Sequence, residues 1–333
     1  MLSSKGYATG THKNHSNDFH AKQCNTDQMK VGNSTRQRDG YFTEEKKEHQ
    51  SSFPTCPAST KSLRTINPIR ILVDPIIASS VKCGKLRGDN KDQISLALGD
   101  PSNDDSLTPC SILLDAATQC ATSRSHAGYA NACGSVAARD AVAKFYSTPE
   151  YTLTQDDVVI ASGCSGALEL ALTALLDEGS TVLVPQPGFP LYQVIAESHG
   201  ARVKYYKLDP DKDWQVDLKD LEEAIVACND ADADVRAIVI NNPSNPCGSV
   251  FSVQHLEEIL LLAGDHRLPI ISDEVYGDIT FHGATYHPLG HVAARLSARE
   301  QDVVVPPVFT ASGLGKQFLV PGWRIGWLLF HDW

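Results

Sequence analysis

A lysine among small and apolar residues, in the run Ser312-Gly-Leu-Gly-Lys316, is followed by Arg324 between Trp323 and Ile325. An amine becomes a nucleophile where burial or a nearby cation disfavours its ammonium form, and with an aldehyde it forms a Schiff base. The forked guanidinium of Arg324 suits a phosphate. A solvated surface lysine is the alternative, and the flanking Gly, Leu, Val, Trp and Ile weigh against it. In the tract Ile271–Asp278 (ISDEVYGD), Asp273 ends an apolar run and Tyr276 follows three residues on. A carboxylate there is costly unless it meets a cation or donor, such as a protonated ring nitrogen, or caps a following helix. Asn245, in NNPSNPCG, offers an amide to an anionic oxygen, although the two Asn-Pro steps also read as a structural turn. Gly163-Cys164-Ser165-Gly166 lies between an apolar run and a helical pattern. Small residues there let backbone amides approach an anion at a helix N-terminus, unless the stretch is a plain strand-to-helix turn. The glycines form neither a dinucleotide fingerprint nor a Walker motif. Phe189, after a Pro-Gly turn in PGFPLY, could stack on a flat ring or fill a core under a loop.

The elements that must position these residues alternate along the chain. Ala138, Val142 and Phe145 fall at helical spacing. DVVIASG, STVLVPQP, ARVKYYKL, VRAIVINNP, LPIISDEVY, VVVPPVFTASG and RIGWLLF read as strands. SGALELALTALL, LYQVIAESHG, DLKDLEEAIVAC and SVQHLEEILLLAGDHR read as helices, the last with Leu256, Ile259, Leu260 and Ala263 on one face. Strands alternating with helices predict a mostly parallel sheet covered on both faces, with ligands beyond the carboxyl ends of its strands. The candidate residues stand at those ends.

Composition narrows the function further. The chain has 333 residues, 42% hydrophobic, with a net charge of −11. A core is available, and the acidic balance argues against nucleic acid or an anionic membrane as partner. No apolar run is long enough for a bilayer span, and none at the start reads as a signal-peptide core. Nine cysteines, scattered and without a C-x-x-C pair, fit free thiols in a reducing compartment. The cytoplasm is therefore expected, with the mitochondrion as alternative. Residues 1–60 are polar and carry too little apolar pattern to offset ordering entropy, so they read as a disordered extension.

Taken in order, INPIR, SGCSGA, PGFPLY, NNPSNPCGSVF, DEVYGD and VPGWRIGW resemble the class I/II aminotransferases of fold type I, which use pyridoxal 5'-phosphate. Within the family they look most like the tyrosine aminotransferase branch. The resemblance implies an α/β fold with a mostly parallel seven-stranded sheet flanked by helices and an incomplete second, small domain. It divides the chain into an arm and part of the small domain at 61–108 and a large cofactor-binding domain, itself incomplete, at 109–333. It implies that Lys316 holds the cofactor aldehyde and serves as general base. Gly163, Cys164 and Ser165 would cradle the phosphate with Arg324, and Phe189 would stack on the ring. Asn245 and Tyr276 would bond its phenolic oxygen, and Asp273 would pair with its nitrogen. Tyr129 would reach the phosphate of the neighbouring subunit in a homodimer with shared active sites. Gly99 and Asn245 would lie toward the substrate. The implied reaction moves the amino group of L-tyrosine, and of other aromatic amino acids, to 2-oxoglutarate, giving 4-hydroxyphenylpyruvate and glutamate. Alternatives are an alanine-type aminotransferase, a carbon–sulfur β-lyase of the same fold, or a truncated inactive relative. The pattern departs from the family at Asn131, where proline is usual, and at Gly313, where many relatives carry serine. The family's C-terminal small domain and its carboxylate-binding arginine find no counterpart here, so the chain is expected to be a fragment.

Overall fold

Alternating strands and helices build one sheet in the computed structural model of the chain, which describes residues 58–82, 99, 107–123, 127–281 and 283–333. All of these belong to the unit Cys56–Trp333. Of the extension expected at 1–60, residues 1–57 lie outside the described residues. The strands are β1 (Val158–Ser162), β2 (Thr181–Gln186), β3 (Arg202–Asp209), β4 (Gln215–Val216), β5 (Val235–Asn241), β6 (Ile270–Asp273), β7 (Val308–Gly313) and β8 (Ile325–His331). The helices are α1 (Thr60–Arg64), α2 (Pro68–Lys82), α3 (Ser111–Thr122), α4 (Val136–Tyr146), α5 (Gly163–Leu175), α6 (Leu191–Ser198), α7 (Leu218–Asp230), α8 (Val253–Asp265), α9 (Leu289–Arg299) and α10 (Leu314–Gln317).

The strands order as β1-β8-β7-β6-β5-β2-β3-β4. The expected seven strands are corrected to eight, in a mixed sheet whose pairings are more often parallel than antiparallel. The β2–β3, β2–β5, β5–β6 and β6–β7 pairs are parallel. The β1–β8, β7–β8 and β3–β4 pairs are antiparallel. Parallel neighbours need a long crossover, which α8 and α9 supply. Only the short α10 and a turn separate β7 from β8, so the chain must come back antiparallel. The additional strand, β4, is a two-residue return along the end of β3; its two residues carry no periodicity.

Side chains alternate across the sheet with a period of two and seed a core on each face. Val182, Val184, Ala237, Val239 and Ile271 pack with α5 and α6. Leu183, Ile238, Ile240 and Ile270 pack with α7, α8 and α9. Each fully buried leucine or isoleucine here contributes roughly 1.5–3 kcal/mol.

Two helical readings need adjustment. The spacing of Ala138, Val142 and Phe145 marks α4 correctly but misses its buried face, which is Arg139, Ala143 and Tyr146. Phe145 is exposed. Arg139 can be buried because it donates to the carbonyls of Gly134 and Gln155, at 3.3 and 2.7 Å. Helix α9 had no counterpart in the sequence reading, although Leu289, Val292, Ala293 and Leu296 are all buried at helical spacing. Among the described residues no helix is long and apolar enough to cross a membrane.

At the far end of β8, His331 is buried against α9, where a Cβ on Gly290 would come within 2.5 Å of its ring. Its Nδ1 meets the Tyr151 hydroxyl at 2.8 Å, while Nε2 has no partner among the described residues. Burial favours the neutral ring and pulls its pKa from 6.5 down to about 4. As pH falls from 6.5 toward 4, the unfolded chain takes up the proton and the folded chain does not, so stability is lost across that window. His331→Phe is expected to remove an acid-side loss on the order of 3 kcal/mol. Denaturant titrations near neutrality and near pH 4 compare the two slopes; equal slopes would count against this account.

Candidate functional site

Three parallel strands end together, with Asn241 of β5 opposite Asp273 of β6, and Asp273 opposite Ala311 of β7. Beyond them lies a cavity of about 550 Å³. Gly99, Gly163, Cys164, Ser165, Phe189, Asn245, Asp273, Tyr276, Lys316 and Arg324 all line it. Residues remote in sequence are thus gathered by strand ends, as expected for this kind of sheet. Tyr129 is not brought here; its side chain is fully exposed.

Asp273 is 3% exposed and shares the α5–α6 face with Ile271, two residues earlier. No helix begins after it, so the capping alternative does not hold: residues 275–277 form a turn and the next helix starts at Leu289. Three donors converge on the carboxylate instead. The Tyr192 hydroxyl donates to Oδ2 at 2.7 Å, the Cys164 thiol to Oδ1 at 3.4 Å, and the Val275 amide to Oδ1 at 3.3 Å. Burial raises the pKa of Asp273, and these hydrogen bonds oppose the rise without cancelling it. Burial and the Asp273 charge also push the Cys164 thiol and the Tyr192 phenol up, which keeps both as donors. Tyr192 stood in the sequence only as the end of PGFPLY. Its meeting with Asp273 links α6 to β6 and is a tertiary fact.

The small residues at the start of α5 allow a close approach. Gly163 has φ +70, and a Cβ there would sit 2.6 Å from the Arg324 guanidinium. A Cβ on Gly326 would come within 2.3 Å of the Gly163 carbonyl carbon, so only glycine lets β8 lie this close. Ser162, at the N-cap, makes no side-chain cap bond, which leaves first-turn amides available to an anion. Arg324 is held over this point in a left-handed backbone conformation (φ 53, ψ 45). Its Nη2 donates to the Ser162 carbonyl at 3.1 Å and its Nη1 to that of Pro321 at 3.3 Å.

Lys316 sits in the four-residue α10, with Nζ 5.7 Å from the centre of the Tyr276 ring. The adjacent Gln317 donates to Asp278 at 2.6 Å, joining the lysine turn to the tyrosine turn. Phe189 lines the cavity and packs edge-on against Tyr192, ring centres 6.0 Å apart. Asn245 is placed by its own amide, which donates to Asn241 Oδ1 at 2.6 Å. Asn241 Nδ2 in turn donates to the Asp273 carbonyl at 3.0 Å.

Where serine is replaced by Gly313, the neighbouring Ser312 does not compensate; it is buried and donates to the Glu274 carbonyl at 3.4 Å. Asn131, in the usual proline position, builds a turn by accepting from the Cys133 amide at 2.9 Å. Asn67 and Arg70, within INPIR but without an expected role, also line the cavity. Asn67 Oδ1 caps α2 by accepting from the Ile69 amide at 3.0 Å, a role its place before Pro68 signals.

A mixed α/β sheet with a lysine, a buried aspartate and an arginine-flanked helix start around one strand-end cavity defines the class. The chain belongs to the aminotransferase class I and II family, whose model matches residues 91–333. The family is pyridoxal phosphate-dependent. The chain is 42% identical over 274 residues to the tyrosine aminotransferase of Homo sapiens, covering 82% of this chain and 55% of that one. It is 41% identical to that of Mus musculus, with the same shares. Among solved structures, a tyrosine aminotransferase from Leishmania infantum superposes with a TM-score of 0.68 at 32% identity, covering 84% of this chain and 68% of that one. The chain spans about half the length of the curated relatives it matches.

Tyr192→Phe, which leaves Asp273 Oδ2 without its shortest hydrogen bond, is expected to raise the pKa of Asp273 further and to cost about 1–3 kcal/mol of stability. Carbon-13 NMR of labelled aspartate and a denaturant titration measure both; an unchanged Asp273 titration would contradict the role given to Tyr192.

Proposed function

We propose that this protein is a pyridoxal phosphate-dependent aminotransferase that moves the amino group of L-tyrosine, and of other aromatic amino acids, to 2-oxoglutarate. The observation that carries the reading is Lys316 and the buried Asp273 on one cavity, with an arginine-flanked helix start beside them. The cavity fits the cofactor in three respects. Glycine at 163 and 326 lets Arg324 and β8 lie close against the start of α5, whose first-turn amides suit a phosphate. A buried carboxylate without an ion pair among the described residues suits a protonated ring nitrogen. Phe189 offers an aromatic face.

In this reading Gly163, Cys164, Ser165 and Arg324 hold the phosphate, Phe189 stacks on the ring, and Asn245 and Tyr276 bond its phenolic oxygen. Bound pyridoxal phosphate supplies an aldehyde for the substrate amine and a protonated ring that takes up electrons from the α-carbon. Asp273 holds positive charge at the ring nitrogen. Lys316 Nζ would hold the aldehyde and would serve as the general base for the substrate's α-proton. Gly99 and Asn245 lie toward the substrate. A second copy completes the site with its Tyr129, and the full exposure of that side chain supports a role outside its own cavity. Residues 61–108, of which 83–98 and 100–106 lie outside the described residues, are assigned in this reading to the arm and part of the small domain and 109–333 to the large domain; the scattered free thiols favour the cytoplasm.

Lys316→Ala is expected to abolish transfer from tyrosine to 2-oxoglutarate, a loss of roughly 10²–10⁴-fold or more, and to abolish borohydride-trapped label at position 316. A coupled assay for 4-hydroxyphenylpyruvate and glutamate, with mass spectrometry of the trapped peptide, checks both. Full activity in the variant would overturn the reading; ammonia and pyruvate from cysteine conjugates would indicate a lyase instead.

A further inference from the structure

Two buried carboxylates stand side by side at the end of β6, Asp273 at 3% and Glu274 at 2% exposure. The strand's alternation sends them to opposite faces. Asp273 looks into the cavity; Glu274 looks toward α9 on the far side of the sheet. The mechanism above uses only the first.

Glu274 collects three donors from three parts of the fold. Its Oε1 accepts from the Ser272 hydroxyl at 2.7 Å and from the Leu289 amide at 3.0 Å. Its Oε2 accepts from the Tyr286 hydroxyl. Leu289 opens α9, whose N-cap residue, Pro288, provides no side-chain cap. Glu274 therefore caps that helix from 15 residues upstream, its Oε1 accepting from a first-turn amide that has no intrahelical partner. The Tyr286 ring in turn packs against the cavity turn, since a Cβ on Gly277 would lie 2.6 Å from it. The turn's backbone is tied as well: the Glu274 amide donates to Ala311 at 2.9 Å, and the Gly277 amide donates back to Glu274, also at 2.9 Å.

We propose that Glu274 is a positioning residue: by gathering Ser272, Tyr286 and the first turn of α9, it holds the 274–277 turn that aims Asp273 and Tyr276 into the cavity. The inference rests on the reading that Asp273 and Tyr276 hold the cofactor, and it concerns the opposite face of the strand.

The site's ionisation agrees with this geometry. Burial raises the Glu274 pKa to about 7, the hydrogen bonds from Tyr286, Ser272 and Leu289 pull against the rise, and Asp273 adds to it. The other titratable groups facing this pocket are Tyr286, Tyr146 of α4 and Asp278; both phenols are pushed up and stay neutral. With Oε1 taken by two donors, a proton gained by Glu274 belongs on Oε2, which reverses the bond to Tyr286. In the folded chain the protonated form is favoured, so this group's stabilisation is present below 4.5 and is lost as pH rises through about 7.

The test compares Glu274→Ala, Glu274→Gln and Tyr286→Phe with the wild type. Hydrogen exchange of residues 275–277 and Leu289, and affinity for added pyridoxal phosphate, are the readouts. In Glu274→Ala, exchange there should rise about tenfold and affinity fall about tenfold, with α8 unchanged. Glutamine accepts from Ser272 and Leu289 and donates to Tyr286, so Glu274→Gln should restore both to within about threefold. If the alanine variant does not fold, Tyr286→Phe carries the test: losing a donor, it should move the Glu274 carboxyl titration, followed by carbon-13 NMR, upward in pH. An alanine variant with unchanged exchange, a rise shared equally by α8, or an unmoved titration in Tyr286→Phe overturns the proposal. Absence of cofactor binding in the wild type would sink the functional reading instead, and the exchange experiment would still decide the role of Glu274.

Discussion

Asp273 brings a full carboxyl group out of water at the end of a parallel strand, and the surrounding site is arranged around that constraint. An unpartnered charge in such a place costs several kcal/mol, so the fold supplies donors from α6, from α5 and from the following turn. Those donors fix the carboxyl's direction; Cys164 and Val275 line the cavity, and Tyr192 lies behind its wall. Tyr192 supports Phe189, Cys164 belongs to the anion cradle, and Val275 leads to Tyr276. Satisfying one buried acid therefore organises the cavity-facing side of the sheet.

The cradle depends on a second constraint, close packing of backbone on backbone. Gly163 and Gly326 face each other across the junction of α5 and β8, and Gly313 of β7 stands with its Cβ position 2.7 Å from the Ile325 carbonyl. Side chains at these points would drive β8 away from the helix start. Arg324 would then lose its place over the first-turn amides, because its guanidinium is held to the Ser162 carbonyl by one hydrogen bond and to its own turn by another. The left-handed backbone at Arg324 reverses the chain between α10 and β8. Lys316 and Arg324, near neighbours in sequence, thereby reach different parts of the same cavity.

Much of this was legible in the residues. Apolar runs ending in polar or small residues located β1, β2, β5, β6, β7 and β8, and helical spacing located α5 to α8. Local chemistry also marked Asp273, Asn245 and Lys316 as candidates, because each polar group stands where an apolar element stops. What escaped was information that single elements do not carry. Strand β4 is too short to show a period. The buried face of α4 is set by Arg139 finding carbonyl partners in the 134–157 segment, which a count of apolar positions cannot anticipate. The capping reading of Asp273 failed because the chain turns after β6 instead of entering a helix, and the distant Tyr192 and Cys164 reach the carboxylate.

The sequence by itself determined most of the strands, the helices α5 to α8 and the residues at their ends, since periodicity and side-chain type are local properties. It also carried an ordered set of motifs that marked the family. Only the tertiary structure decided that β8 returns antiparallel beside β7 and that Tyr192 closes on Asp273. It alone turned Glu274 away from its neighbour toward α9. Those outcomes depend on pairing, register and packing among residues far apart in the chain, and such contacts exist only once the sheet has formed.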